Sequence, residues 1–227
     1  MQISPLNENS IMVVFAPQAS EPLTLHITQF NGAVRAHFSG VIVDTIPSYT
    51  TLFIRFNNLK IGLSEMIQGL EQLAKDFKPD VQAIHQGKLI EIPVYYGQEV
   101  ALDANEVCTH TGLNFDEIIK LHTGQTYMVY AVGFSIGFAF LGQTDKKLTI
   151  PRKQSPRREV AAKSVALADN QTAVYPKISP GGWQIIGRTP IELIDFNLKE
   201  LSVFNVGDKV RFSQISKQEF LAMGGVL

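Results

Sequence analysis

The sequence predicts an α+β protein in two parts, the first ordered β-α-β-β-α-β and the second built mainly of short strands. Two observations predict this. Up to about residue 95 the apolar positions switch between strand and helix spacing; after about residue 125, glycine, proline or asparagine interrupts β-rich runs every ten residues or so. A chain of 227 residues can form one large domain or two modest ones, each able to bury a core. The change of character divides it into 1–87 and 88–227.

In the first part Ile11–Phe15 reads as a short apolar strand. Across Pro22–Phe38, Leu23, Ile27, Phe30, Val34 and Phe38 recur at three- or four-residue steps, as one helix face requires. Ser20 is a candidate cap for that helix, Pro22 suits its first turn and Gly40 follows its end. Val41–Ile46 and Thr51–Phe56 are β-branched runs separated by Pro47-Ser48-Tyr49, which reads as a hairpin. Ser64–Phe77 carries Met66, Ile67, Leu70, Leu73, Ala74 and Phe77 at helical spacing, with Pro79 beyond. Lys88–Tyr96 is a further strand. Counted with the first part, it completes the split βαβ order of a ferredoxin-like domain; it can instead open the second part.

The second part begins with two short helices whose N-cap candidates are Asp103, followed by Glu106, and Asn114. The runs "TYMVYAVGF", "GFAFL", "SVALA", "AVYP", "WQIIGRT" and "KVRFSQI" are then strands between turns, the pattern of a closed or nearly closed β-barrel.

Composition narrows the function classes. A net charge of −1 gives no general attraction to nucleic acid or an anionic membrane. The single cysteine, Cys108, precludes an internal disulfide and suits a reducing compartment. Met1–Ser20 has no basic start and is broken by Asn7, Glu8 and Asn9; the most apolar run, Met128–Leu141, is too short to span a bilayer. A soluble, cytoplasmic protein is expected. There is no G-x-x-x-x-G-K-[ST] phosphate loop and no strand-linked G-x-G-x-x-G. No histidine pair has H-x-x-x-H spacing, so no metal site is expected. Cys108 has no identifiable base beside it, and no G-x-S-x-G elbow marks a nucleophilic serine.

Polar groups suited to a site concentrate between Gly133 and Arg188. In "IPRKQSPRREV" Pro156 stiffens a basic loop and can fix the direction of Arg157, whose planar fork suits a carboxylate or phosphate; the alternative is a solvated loop. "ADNQTAVYP" places Asn170, Gln171 and Thr172 at a turn, where they serve either the backbone or an amide-like ligand. In "SPGGWQIIGRTP" the glycine pair allows positive φ or close approach, and Trp183 can line a pocket. His122, at a helix end, is a candidate proton carrier or simply a residue favouring the helix dipole. On successive strand ends of one barrel these elements suggest a single concave site.

Taken in order, "IPSYTTLFIRF", "LHTGQTYMVYAVGF", "GFSIGFAFLG", "PRKQSPRREV", "SVALADNQTAVYP" and "SPGGWQIIGRTP" resemble the KipI / allophanate hydrolase subunit 1 family over almost the whole chain. The resemblance implies a small α+β domain followed by a cyclophilin-like β-barrel. It also implies a non-autonomous B subunit of an ATP-dependent 5-oxoprolinase, which opens the lactam of 5-oxo-L-proline to glutamate with separate A and C subunits, the latter a related barrel. ATP is then needed by the complex, with no cofactor identifiable in this chain. Alternatives within the family are a KipI-like inhibitor of a sensor histidine kinase and an allophanate hydrolase or urea carboxylase-type component. Carried over residue by residue, the catalytic candidates are His122, Arg157, Gln171 and Thr172. The groove candidates are Gly133, Phe134, Gly137, Phe138, Leu141, Gly142, Ser155, Pro156, Tyr175, Ser179, Pro180, Gly181, Gly182, Trp183 and Arg188. The chain departs from the family pattern at Ile136, Phe140, Ala161, Lys163, Asp169 and Val174; Lys163 and Asp169 stand at glycine positions, so another residue must accept those backbone conformations or the turns must change.

Overall fold

The computed structural model describes residues 1–80, 87–198 and 201–227, which form two compact units, Met1–Gly87 and Lys88–Leu227. The fold is mixed, mostly antiparallel sheet with several helices. No described helix is long and apolar enough to cross a membrane.

In the first unit the strands β1 (Gln2–Asn7), β2 (Ser10–Val14), β3 (Ile42–Ser48) and β4 (Thr51–Phe56) pair antiparallel in the order β1-β2-β4-β3. Helices α1 (Glu21–His37) and α2 (Leu63–Asp76) supply Ile27, Phe30, Val34, Met66 and Leu70 to a core with Ile11, Val13, Leu52, Ile54 and Phe56. α1 begins as its sequence suggests: the Ser20 hydroxyl accepts from Leu23 N–H at 3.3 Å, and Gly40 beyond the helix has φ +75°. Two details differ from expectation. Pro47 and Ser48 belong to β3, opposite Leu52 and Thr51, so the hairpin turns at Tyr49-Thr50. β1 also carries no clear sequence signal, because its residues alternate weakly and stay largely exposed.

The Lys88–Tyr96 segment belongs to the second unit, so the first runs β-β-α-β-β-α rather than the expected β-α-β-β-α-β, with β1 beside β2 as its additional strand. Strand β5 (Leu89–Val94) pairs in parallel with β13 (Lys209–Gln214), which pairs antiparallel with β6 (Thr126–Val132). From there the sheet continues antiparallel through β7 (Ala139–Gly142), β10 (Gln171–Val174), β9 (Ser164–Ala168) and β12 (Gln184–Arg188). Tyr95, one residue past β5, exchanges two backbone hydrogen bonds of 2.9 Å with Arg188 at the end of β12, so the two ends of the sheet meet. A separate two-stranded ribbon joins β8 (Arg157–Val160) to β11 (Ser179–Gly181), and helices α3 (Ala104–Thr111), α4 (Phe115–Thr123) and α5 (Lys217–Ala222) complete the unit. The capping box of α4 is present, with Asn114 accepting from Glu117 N–H and Glu117 from Asn114 N–H, both at 2.9 Å.

The substituted turn positions keep a left-handed backbone without glycine: Lys163 has φ +67° and Asp169 φ +52°. Lys163 Nζ donates to the Pro190 carbonyl and pairs with Glu192, while Asp169 exchanges backbone hydrogen bonds with Ile150. A left-handed conformation costs an ordinary L-residue about 1–2 kcal/mol, least for Asp and Asn. Asp169→Gly is therefore expected to match or exceed the parent stability, whereas Asp169→Val should lose about 1–2 kcal/mol. Urea-unfolding midpoints of the two variants check this.

Candidate functional site

A strand's side chains alternate between faces, and here the alternation makes two different interiors. From β7, β9, β10 and β12 the residues Ala139, Leu141, Val165, Leu167, Val174 and Ile186 enter the main core. Their neighbours Phe138, Phe140, Ala166, Ala168, Ala173, Tyr175 and Ile185 form a second cluster with Val160 and Trp183. The three alanines leave room above the sheet, and aromatic rings occupy it. Phe138 meets Phe140, Tyr175 and Trp183 edge-on at centroid distances of 4.9, 5.3 and 5.9 Å. The rings surround a pocket of about 230 Å³ lined also by Phe134, Arg152, Lys153, Pro156, Pro180, Gly181 and Gly182. An adjoining hollow of about 330 Å³ shares Arg152 and Lys153 and includes Glu106, His110, Ser155 and Gln184.

Of the glycine pair before Trp183, close approach requires only Gly181. Neither glycine is left-handed; a Cβ on Gly181 would lie 2.2 Å from the Tyr175 hydroxyl, whereas one on Gly182 would touch Pro156 at an ordinary 3.5 Å. Tyr175 packs across the space a side chain on Gly181 would need.

Beneath the pocket lies a carboxylate that the sequence suggested only as a helix cap. Asp103, 3% exposed, makes no capping hydrogen bond. It accepts from Arg157 Nη1 at 2.9 Å and Nη2 at 2.6 Å, from Lys153 Nζ at 3.0 Å and from Ile185 N–H at 2.7 Å. Glu106, which could have completed a capping box, instead pairs with Lys153 and accepts from Gln184 Nε2 at 3.0 Å. Burial pushes the Asp103 carboxyl up, but the hydrogen bonds from Arg157, Ile185 and Lys153 outweigh it and hold the group below its ordinary range. The fork of Arg157 is thus occupied within the protein.

His122 is fully buried and lines none of the described pockets. Its Nδ1 lies 2.7 Å from the Tyr96 hydroxyl and its Nε2 2.9 Å from Thr172 Oγ1, while the ring stacks on Phe212 at 4.4 Å. Thr172 gives its hydroxyl proton to the Ala166 carbonyl at 3.0 Å, so it accepts from His122 Nε2–H, and Nδ1 accepts from Tyr96. The chain of donors is complete with a neutral ring, and burial lowers the histidine pKa to about 3.

The structure therefore brings together Phe134, Phe138, Pro156, Tyr175, Pro180, Gly181, Gly182 and Trp183 from the sequence candidates. Gly133, Gly137 and Gly142 do not line the pocket: Gly133 follows β6, Gly137 turns at φ +79° before β7, and Gly142 ends β7 against the Tyr130 ring; Ser155 lines the adjoining hollow. Leu141 faces the main core because it neighbours Phe140, and Thr172 does so because it neighbours Ala173. Gln171 sits beside Gly142 at the start of β10, and Ser179 pairs with Val160 in the ribbon. Arg188 points elsewhere: its Nη1 donates to the Val226 carbonyl at 2.9 Å, and burial lowers its pKa. Sequence reasoning missed Phe140, Arg152 and Lys153 as wall residues and Asp103 as the anchor. Parity with Phe138 could have found Phe140; Asp103 gave no signal, because its partners lie about fifty residues away. Among the described residues no group of three or more His, Cys, Asp or Glu could hold a metal ion.

The profile of the carboxyltransferase domain, subdomain C and D, matches residues 1–204 of this chain. The 5-oxoprolinase B subunit of Bacillus subtilis (strain 168) is 33% identical over 236 residues, covering 97% of this chain and 95% of the relative. The Haemophilus influenzae protein of the same name is 34% identical over 212 residues, covering 93% and 97% respectively. Among solved structures, TTHA0988 superposes with a TM-score of 0.80 at 28% identity over 92% of this chain, which spans only 40% of that longer one. Kluyveromyces lactis urea carboxylase superposes with a TM-score of 0.74 at 15% identity over 94% of this chain and 22% of its own, a likeness of fold alone. These matches agree with the family read from the motifs.

Two outcomes are expected. Gly181→Ala should displace Tyr175 and cost about 1–3 kcal/mol in chemical unfolding, while Gly182→Ala should stay close to the parent. His122 titrates at 6.5 when unfolded and at about 3 when folded, so between those values only the unfolded chain binds the proton. Its contribution to stability is complete above pH 6.5 and is lost as the pH falls towards 3. His122→Phe should flatten the slope of unfolding free energy against pH in that window by about one proton, measured by urea titrations at a series of pH values.

Proposed function

The chain belongs to the carboxyltransferase domain family, subdomain C and D, and we propose that it acts as the B subunit of a 5-oxoprolinase, hydrolysing 5-oxo-L-proline to L-glutamate together with the A and C subunits. The observation that carries this reading is the identity of about a third to two 5-oxoprolinase B subunits across nearly the whole of both chains. We read the first unit as the ferredoxin-like α+β domain and the second as the cyclophilin-like barrel of that family. The second reading is supported by the meeting of Tyr95 and Arg188 at the ends of the sheet.

In this proposal the aromatic pocket receives the substrate ring. A volume of about 230 Å³ suits a ligand smaller than a drug-sized one, and apolar walls exclude competing water. Phe134, Phe138, Tyr175 and Trp183 contact the ring, with Pro156, Pro180, Gly181 and Gly182 shaping the opening. Arg157 acts through Asp103 as a positioning residue; His122 and Thr172 position β10 against α4. Gln171 and Arg188 lie off the pocket and we assign them no contact with substrate. An aromatic pocket of this size does not fit a nucleotide triphosphate, and the sequence has no phosphate loop, so we assign ATP handling to the other members of the complex.

Reconstitution tests the proposal. With the A and C subunits, the chain should restore ATP-dependent glutamate formation from 5-oxo-L-proline, and either the chain alone or A and C without it should be inactive. Full activity of the A and C pair without this chain would overturn the assignment.

A further inference from the structure

Three cations approach the aromatic pocket, and they differ in what already occupies them. Lys153 Nζ is held by Asp103 and Glu106, and Arg157 is gripped in both arms by Asp103. Those two cations face two carboxylates, so that cluster carries no surplus charge. Arg152 is different. Its carboxylate neighbour is Asp169, 3.8 Å from Nε, and both side chains are more than half exposed, at 58% and 64%. That separation is too long for a hydrogen bond, and an exposed pair of this kind contributes little. Among the described residues none of the Arg152 N–H groups makes a hydrogen bond, yet the guanidinium is not loose in solvent. Its carbon stands 5.7 Å from the centroid of the Trp183 ring, a cation–π contact that gives it a place on the pocket wall. Seated there, the planar fork keeps its donor edges available to an anion whose apolar part lies among the rings.

We propose that Arg152 is the residue that recognises a ligand carboxylate in this pocket, making the site selective for small ring carboxylates over their neutral counterparts. The inference deepens the reading of the pocket as the substrate site and rests on it for the identity of the substrate, since 5-oxo-L-proline is a five-membered lactam bearing one carboxylate. It replaces Arg157 in the role that the basic loop suggested from sequence.

Trp183 is the single tryptophan of the chain, so its emission reports the pocket directly. The full chain is titrated with 5-oxo-L-proline, with cyclopentanecarboxylate (ring carboxylate without the lactam) and with 2-pyrrolidinone (lactam without the carboxylate), and isothermal titration gives the same affinities independently of fluorescence. Both carboxylates are expected to bind at least tenfold more tightly than 2-pyrrolidinone. Arg152→Gln should weaken the carboxylates about tenfold or more and leave 2-pyrrolidinone unchanged; Arg152→Lys, a charge without the fork, should fall between. Unchanged circular dichroism and unfolding midpoints establish that the variants are folded. Equal binding of carboxylates by the parent and Arg152→Gln overturns the inference while leaving the pocket as the substrate site. So does equal binding of the charged and neutral rings. If no carboxylate binds the chain alone, the same comparison is made as the KM for 5-oxo-L-proline in the assembled enzyme, where an unchanged KM in Arg152→Gln overturns it. Carboxylate binding through Arg152 with no 5-oxoprolinase activity in the assembly would instead count against the assigned reaction and leave the recognition residue standing.

Discussion

The buried carboxylate of Asp103 is the interaction on which the pocket depends. It gathers a residue that begins β8, a lysine from the preceding loop and a backbone N–H of β12 around the start of α3. The backbone repeats the connection, with Asp103 N–H donating to the Ile185 carbonyl at 2.9 Å and Lys153 N–H to the Gly182 carbonyl at 2.7 Å. Three segments distant in sequence, at Asp103, Lys153–Arg157 and Gly182–Ile185, are thus fixed against one another beside the rings. A buried ion cluster adds little net stability compared with apolar packing, but removing one member strands a charge at a cost of about 3–5 kcal/mol. Its effect is to specify one arrangement of the loop from Ile150 to Arg157, and so to decide which basic side chains remain available to a ligand.

The wall above it follows from steric economy. Alanine at 166, 168 and 173 gives the sheet a shallow face on which four large rings can lie edge to face. Glycine at 181 then admits the Tyr175 hydroxyl. Phe134, which reaches the mouth of the pocket, sits at φ +70°, a conformation that a phenylalanine adopts only when its surroundings enforce it. Small residues in the floor and strained or missing side chains at the rim create the same cavity from opposite sides.

Most strands and four of the five described α-helices could be read from the sequence, since hydrophobic period and turn residues act locally. Ser20 and Asn114 are local signals of this kind. What escaped was decided by partners far along the chain. Asp103 and Glu106 have the form of a cap and boxing residue, but the need of Lys153 and Arg157 for counter-charge prevails. The short ribbon strands β8 and β11 were hidden because proline and charge dominate their composition. His122 looked available at a helix end; only the tertiary fold reveals that both its nitrogens are already engaged. For the pocket itself, the motif residues were the right region, while parity and ion pairing chose which members of each motif face inward.

The parallel pairing of β5 with β13 bears on how the protein is made. Lys88 N–H bonds to the Asp208 side chain and the Lys88 carbonyl accepts from Lys209 N–H, contacts between segments about 120 residues apart. The strand that opens the second unit therefore has no lasting neighbour on that side until nearly the whole unit has left the ribosome. Pairings so distant in sequence pay their loop-closure entropy before any contact rewards it, which makes them slow. The first unit, whose four strands pair within its own residues, can fold during that interval, and the second must keep an apolar edge from aggregating while it waits.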